Sequence, residues 1–346
     1  MNAILLIPIF EPQERTERFF EQLRKEVTNP IVIVDDGSGE KYRKTFERLV
    51  SRDLRVTLLR YSENKGKGYA LKYGIRFIQE NYPQASGIVT ADGDGQHAIR
   101  DIKRMLQRVP KMAENVLLLG TRDFLKSETP FKSYWGNRLT TSFYYLASGY
   151  WLGDTQTGLR GFSCRFADEL VKIPGERFEY EMNMLLDAAQ LDLKIEELPI
   201  ETIYEENNEH SHFRALQDSF LIYLQLFRFL FSSLASSFVD ISVFLLLTAF
   251  FGEAAGTLLL ATVIARIISG IFNYSMNKRF VFGDREMIRR SVFKYGLLFV
   301  FQMIASWLGV TLLSSLISSL IIAKALTDVF LFFFSYRLQR RFVFNT

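Results

Sequence analysis

Gly87-Ile88-Val89-Thr90-Ala91-Asp92-Gly93-Asp94-Gly95-Gln96-His97 is the stretch on which the fold of this chain turns. Its first half is a short β-branched apolar run. Its second half is a turn with two carboxylates one residue apart, the pattern of a strand that delivers acidic groups to the carboxyl edge of a sheet. Open α/β sheets bind their ligands at that edge. Asp92, Asp94 and the amide oxygen of Gln96 make an all-oxygen donor set suited to Mg2+ or Mn2+, with room left for substrate phosphates. A calcium loop of the EF-hand type needs Gly at its sixth position and Glu at its twelfth. Counted from Asp92, those positions hold His97 and Lys103, which excludes it.

Strand-like runs at residues 3–9, 30–36, 54–61, 87–92 and 116–121 alternate with helical patterns at 14–27, 40–51, 68–81 and 99–109. Such alternation predicts an α/β, Rossmann-like domain with a mostly parallel sheet and helices on both faces, and it predicts that function collects at the strand ends. Those ends carry Pro8-Ile9-Phe10, Asp35-Asp36-Gly37-Ser38 and Asn64-Lys65-Gly66-Lys67-Gly68. The last is a glycine-rich turn opening a helix. Such a turn can hold phosphate through backbone N–H groups, but it matches neither the P-loop nor the dinucleotide fingerprint, and taken singly it reads as a helix cap. The paired Asp35-Asp36 has a bland reading too, as a turn and cap before Gly37-Ser38.

The composition is that of two unlike halves. Phe is abundant at 32 of 346 residues, and mean hydropathy is positive, +0.06, although 23% of residues are charged. The apolar excess lies beyond about residue 217. The single Cys164 excludes an internal disulfide framework and reads as a small core residue of a reducing compartment. The net charge of +4 is concentrated beside the apolar segments, so it does not point to nucleic acid. No signal peptide is expected, since Met1 leads directly into a strand-like run.

Residues 215–228 place Leu216, Phe220, Leu221, Leu224 and Phe227 on one side, which predicts an amphipathic helix lying in a bilayer interface. Four segments of spanning length follow, at about 229–251, 254–274, 295–318 and 320–336, and return the chain to its starting side. Lys278, Arg279, Arg285, Arg289, Arg290, Arg337, Arg340 and Arg341 flank the spans on that side, whereas the other turns carry no Lys or Arg. The first half and both termini are therefore expected in the cytoplasm, with the protein integral to the cell membrane. Asp240 and Arg266 lie about 18 and 15 Å of helix rise from the outer turn, at matching depth for pairing. Lys324 and Asp328, four apart, are expected to pair as well. These intramembrane charges fit either packing and homo-oligomer contacts or a site for a lipid phosphate.

Pro8 and Phe10, Asp35-Asp36-Gly37-Ser38, Gly66-Lys67-Gly68, Asp92-Gly93-Asp94-Gly95-Gln96-His97, Gly120-Thr121-Arg122 and Asp154-Thr155-Gln156-Thr157-Gly158-Leu159-Arg160-Gly161-Phe162 occur in this order. Residues 1–214 thereby resemble the family 2 glycosyltransferases of GT-A fold, nearest to the polyprenyl-phosphate glycosyltransferases such as dolichyl-phosphate mannose synthases and their bacterial relatives. One departure is Glu11-Pro12, where that family usually has Asn-Glu. Residues 229–346 resemble the GtrA family of small membrane proteins. Within them, Asn273-Tyr274-Ser275-Met276-Asn277-Lys278-Arg279-Phe280-Val281-Phe282 recurs as Ser335-Tyr336-Arg337-Leu338-Gln339-Arg340-Arg341-Phe342-Val343-Phe344.

The resemblance implies a metal-dependent hexosyltransferase that takes a nucleotide sugar, UDP-linked or GDP-mannose, and a polyprenyl phosphate, undecaprenyl or dolichyl, in the lipid bilayer. It implies that Asp35 and Asp36 accept a hydrogen bond from the base, that Phe10 packs on it, and that Pro8, Lys67, Asp92 and Asp94 also contact the nucleotide sugar. Arg122, Arg138 and Ser142 match positions that hold the acceptor phosphate, a task suited to guanidinium groups, and Arg160 looks like a further contact. Asp94, Arg122 and Arg138 are the expected catalytic residues. Glu179 or Glu181 occupies the place of a general base, but a phosphate acceptor with a second pKa near ~6 needs none, so both read as structural or sugar-contacting. His210 and His212 precede the membrane segments in a loop expected to close over the diphosphate; two histidines without a third ligand are no zinc site. The rival readings are a lipid-sugar flippase with a nucleotide-sensing soluble half, and a processive polysaccharide synthase. For the latter, Gln225-Leu226-Phe227-Arg228-Phe229 lacks the Trp of the usual motif.

Overall fold

A computed structural model describes residues 2–51, 53–124, 131–188, 191–201, 215–252, 255–281, 288–317 and 319–344. The chain divides into two compact units, one of Met1–Tyr145 with Gly149–Ile222, the other of Leu146–Ser148 with Tyr223–Thr346.

The first unit is built on seven strands, β1 (Ile4–Ile9), β2 (Ile31–Asp35), β3 (Val56–Arg60), β4 (Gly87–Thr90), β5 (Val116–Arg122), β6 (Arg160–Ser163) and β7 (Lys194–Ile200), in the order β3-β2-β1-β4-β6-β5-β7. Strand β6 runs antiparallel to β4 and β5; the other pairings are parallel. It was not anticipated, because Arg160-Gly161-Phe162-Ser163 is too short, and too interrupted by glycine, to carry a period of two. Helices α1 (Glu14–Glu26), α2 (Arg43–Val50), α3 (Lys67–Asn81), α4 (Ile99–Arg108), α5 (Phe131–Ser148), α6 (Ala167–Lys172) and α7 (Glu179–Asp187) fill the connections.

Alternation along β1 sends Leu5, Ile7 and Ile9 to one face, where Phe19, Phe20 and Leu23 of α1 and Ile102, Met105 and Leu106 of α4 close over them. On α1, Glu14 and Glu17 stand in the first turn and Arg24 and Lys25 in the last, the arrangement that complements the helix dipole. Gly74 of α3 lies against Leu6 and Val34, where a Cβ would collide, so this helix approaches the other face closely. The expected edge strand over 195–204 is found as β7 up to Ile200; its last residues, and the loop with His210 and His212, lie outside the described residues.

The second unit is helical: α8 (Ala215–Phe251) from Tyr223 onward, α9 (Ala255–Met276), α10 (Ile288–Leu316) and α11 (Leu320–Leu338). The interfacial helix expected over 215–228 is not a separate element. No Gly or Pro interrupts the sequence there, and α8 continues for 37 residues, about 55 Å. Helix α10 likewise begins seven residues before the predicted span, so Arg289, Arg290 and Lys294 stand on a helix rather than in a loop. Both duplicated exits form a turn of π-helix, Asn277–Val281 and Gln339–Val343, and Asn277 Nδ2 donates to Gln339 Oε1 at 2.9 Å between them. The expected pairing within the first hairpin is present. Arg266 Nε lies 3.7 Å from Asp240 Oδ1, which also accepts from Ser269 Oγ at 2.9 Å. The second expected pair involves Lys324, whose side chain lies outside the described residues.

Candidate active site

Strands β1 and β4 are neighbours, and the chain leaves β1 for β2 and β3 on one side and for β4 on the other. Their carboxyl ends therefore flank a switch point, where an open sheet offers a ligand crevice. Beyond β4 the chain reaches Asp92, which is held from two directions. Its Oδ1 lies 2.7 Å from Lys67 Nζ at the start of α3, and its Oδ2 lies 3.2 Å from His97 Nε2. Lys67 Nζ is also 2.7 Å from Glu181 Oε2 on α7. Burial pushes the Asp92 carboxyl up, but the Lys67 charge and the His97 contact outweigh it and hold the acid well below the usual carboxylate range. Burial likewise pushes the Lys67 ammonium down, and the charges of Asp92 and Glu181 carry it well above the usual lysine range.

Two close approaches shape the recess. A Cβ at Gly158 would run into the Asp92 carboxylate, and the Gly158 carbonyl accepts from Thr90 Oγ1 at 2.8 Å. Gly158→Ala is therefore expected to displace the Asp92 carboxylate and to lower kcat about 10–100-fold, with a melting curve of the same preparation reporting whether the fold survives. Gly66 and Gly68 allow residues 176–180 to pack on the first turn of α3, and the Tyr69 N–H donates to the Glu176 carbonyl at 2.9 Å. This turn is thus a packed helix start. The side chain that it aims at the acidic cluster is Lys67.

Two arginines of the motifs have protein partners. Arg160, expected at the acceptor, is 1% exposed within β6. Its Nε donates to the Thr157 carbonyl at 3.0 Å and its Nη1 to the Glu181 carbonyl at 2.6 Å, so its guanidinium is buried on backbone carbonyls at the back of the site. Arg122 presents a fork as expected, but the fork holds buried Asp154, with Nε to Oδ2 at 2.5 Å and Nη2 to Oδ1 at 3.0 Å. A carboxylate takes the bidentate face that was expected to meet phosphate.

The acids after β2 are similarly occupied. Asp35 is buried and accepts from Ser38 N at 2.9 Å and Arg60 Nε at 2.8 Å. Asp36 accepts from Tyr61 Oη at 2.6 Å, Asn64 Nδ2 at 3.0 Å, Lys65 N at 2.9 Å and Gly66 N at 3.0 Å, which ties the loop before α3 to β2. Each oxygen expected to receive a base thus already accepts a hydrogen bond from the protein. Pro8 and Phe10 stand half-buried at the end of β1.

Arg138 differs from the other arginines. It is exposed on α5, its guanidinium lies 4.8 Å from the Trp151 ring centroid, and no carboxylate pairs with it among the described residues. Ser142, one turn on, donates to the Arg138 carbonyl at 2.8 Å. Asn137 fixes the helix by donating to the Gly153 carbonyl at 2.8 Å and accepting from Thr155 N at 3.3 Å. Trp135, Leu139, Tyr145, Tyr150 and Trp151 are exposed around Arg138, an aromatic and basic surface of the kind found at membrane interfaces.

Asp94 is exposed, and its Oδ1 accepts from the Gln96 N–H at 3.0 Å. Although solvent reaches the side chain, the protein packed around the turn partly desolvates its carboxyl, and this and then the Asp92 charge raise it. Two acids that repel one another are a donor set that a divalent cation would stabilise, so the residues fit such an ion. They fit it incompletely. Among the described residues no group of three or more His, Cys, Asp or Glu side chains is arranged to hold a metal, and Gln96 enters the turn through its backbone. A cation held by one or two carboxylates and completed by diphosphate oxygens needs no more. Sequence reading assigned no role to His97 or Asp154 and left Glu181 as a structural or sugar contact. Asp154 carried a signal, since it stands in a motif that also contains Arg160, whereas Glu179-Tyr180-Glu181-Met182-Asn183 holds no arginine or lysine to point to the Lys67 contact.

This sheet, with an acidic turn at its switch point, belongs to a glycosyltransferase: the chain is a member of glycosyl transferase family 2, whose model matches residues 5–171, and it carries a GtrA/DPMS transmembrane domain over residues 228–344. It is accordingly a membrane protein. It is 31% identical over 210 residues to an uncharacterised protein of Methanocaldococcus jannaschii, spanning 59% of this chain and 83% of that one. It is 29% identical over 220 residues to the UDP-N-acetylglucosamine–dolichyl-phosphate N-acetylglucosaminyltransferase of Methanococcus voltae, spanning 58% and 86%. Among solved structures, a mannosyltransferase of Pyrobaculum calidifontis in complex with GDP-Man and Mn2+ aligns at a TM-score of 0.42 and 11% identity over 97% of this chain and 86% of that one.

Proposed function

We propose that the protein moves a sugar, with inversion, from a nucleotide diphosphate to a polyprenyl phosphate at the cytoplasmic face of the membrane, giving a polyprenyl-phosphate-linked monosaccharide for envelope glycosylation. The observation that carries this reading is the pairing of two different sites in one unit: an acidic recess at the sheet's switch point, and an exposed arginine on an aromatic surface. The name of the Methanococcus voltae relative supports a UDP-sugar donor and a polyprenyl phosphate acceptor. Lys278, Arg279 and Arg290 at the ends of the apolar helices support the cytoplasmic orientation.

Asp92 and Asp94 would hold a divalent cation, Mg2+ or Mn2+, which when bound neutralises the departing diphosphate. Lys67 brings a further positive charge to the same recess. Arg138 and Ser142 orient the lipid phosphate, and the Trp151 face beside them keeps the guanidinium extended. An ionised phosphate oxygen attacks the anomeric carbon while the bond to the nucleotide breaks, and a single displacement inverts the centre. No general base is required at neutral pH. Glu181 is committed to Lys67, and its role is to place that charge.

Incubating membranes that contain the protein with a panel of labelled nucleotide sugars tests the reading, which requires a lipid-extractable product. Its absence with every donor, in a preparation that binds nucleotide, would favour the flippase. Arg138→Ala is expected to raise KM for the lipid phosphate about 10–100-fold, as loss of one charge-assisted contact would, and to leave KM for the donor unchanged in steady-state assays.

A further inference from the structure

Lys67 stands where the cation of the reaction has to arrive. Its Nζ is 2.7 Å from Asp92 Oδ1 and 2.7 Å from Glu181 Oε2, so one ammonium is shared equally between an acid expected to bind metal and an acid that is not. Glu181 is 6% exposed, and its second oxygen, Oε1, has no hydrogen-bond partner among the described residues. Behind it Arg160 Nε lies 3.8 Å from that oxygen, while Arg160 Nη2 also has no hydrogen-bond partner among the described residues. Glu181 therefore keeps acceptor capacity for Lys67 after Asp92 has let it go. Lys67 is the first residue of α3, and Gly68 lets residues 176–180 pack against that turn, so the lysine and its second acceptor are fixed to each other by backbone packing.

We infer that Lys67 is an exchangeable counter-ion for Asp92, and that Glu181 is a positioning residue that receives Lys67 when a divalent cation takes the Asp92 carboxylate. The exchange leaves Asp92 and Glu181 each facing a cation at every stage. Before the cation arrives, Lys67 neutralises Asp92. Afterwards the ammonium stays within the recess on Glu181, next to where the diphosphate gathers negative charge. A cation alone has to displace a bound ammonium, whereas one that arrives with a diphosphate brings the anion that the displaced ammonium can serve. The site is thereby biased toward the metal–nucleotide complex over the free metal. This inference rests on the metal role given above to Asp92 and Asp94.

Binding of Mn2+ alone to the full-length protein in detergent, followed by the electron paramagnetic resonance signal of free Mn2+, tests it without reference to turnover. Removing the competitor is expected to tighten Mn2+ binding about tenfold in Lys67→Met, as when a binding-competent state becomes fully populated. Glu181→Gln, which leaves Lys67 no ionised acceptor but Asp92, is expected to weaken binding by a similar factor. In the double variant the glutamate change is expected to have no further effect, because it acts through the lysine.

Equal effects of Glu181→Gln with and without Lys67 would mean simple long-range attraction and would overturn the exchange. So would unchanged Mn2+ affinity in either single variant. Should Lys67→Met not fold, Lys67→Gln, neutral and able to bond both acids, carries the same expectation. Failure of the wild type to bind Mn2+ even with UDP removes the metal reading and this inference together. Normal binding with no response to the variants removes the inference alone.

Discussion

Asp94→Ala is expected to abolish sugar transfer, lowering kcat by about a thousandfold or more, while the protein still inserts into membranes and melts at the wild-type temperature. The size follows from removing a group proposed to stabilise charge at the moment the diphosphate leaves, the kind of loss that costs about 10²–10³ per donor and more where a metal is displaced with it. The unchanged stability follows from the structure. Asp94 is exposed, and among the described residues its hydrogen-bond partner is the Gln96 N–H in the same turn, so truncation orphans no buried charge. Asp92 is a poorer choice for this experiment, since its loss would strip Lys67 and His97 of an acid and confuse chemistry with folding. The measurement is transfer of labelled sugar to undecaprenyl phosphate by purified protein, and turnover retained by the variant would refute the role given to the acidic turn.

The second large effect is on stability. Arg160→Met is expected to destabilise the first unit by about 3–5 kcal/mol, the range for removing one member of a buried charge network. The Thr157 and Glu181 carbonyls would lose their donors, and Glu181 would lose the cation behind it. The melting temperature should fall accordingly. Any protein that remains folded should keep its KM for lipid phosphate, because the guanidinium is sealed inside the sheet. A stable variant with a raised lipid KM would return Arg160 to the acceptor site that its motif implied.

These outcomes differ in how far they were legible before folding. The five parallel strands and four helices before residue 123 were read to within two or three residues, apart from a turn of 3₁₀-helix preceding α2, since apolar alternation and the 3.6-residue period are properties of neighbouring residues. So was the arrival of Asp92 and Asp94 at a carboxyl edge. Strand β6 was not, because four residues with a glycine hold no period, and its pairing between β4 and β5 depends on segments distant in the chain. Helix α8 was divided at Arg228 because the residues change character there, although nothing in them breaks a helix.

The roles of the charges were the least legible. Arg122, Arg138 and Arg160 look alike in a motif, yet one grips Asp154, one stacks on Trp151 in the open, and one is buried on backbone carbonyls. A sequence records that a side chain carries charge; the work that charge performs depends on what removes its water and which opposite charge stands within a few ångströms. From the order of residues alone came two halves of different solvent preference, a parallel sheet and an acidic turn at its rim, all consequences of local periodicity. Packing then chose the partners: Lys67 between Asp92 and Glu181, Gly158 under the acid, Arg138 left exposed, because contacts between remote segments are made only when the chain closes on itself and water is excluded.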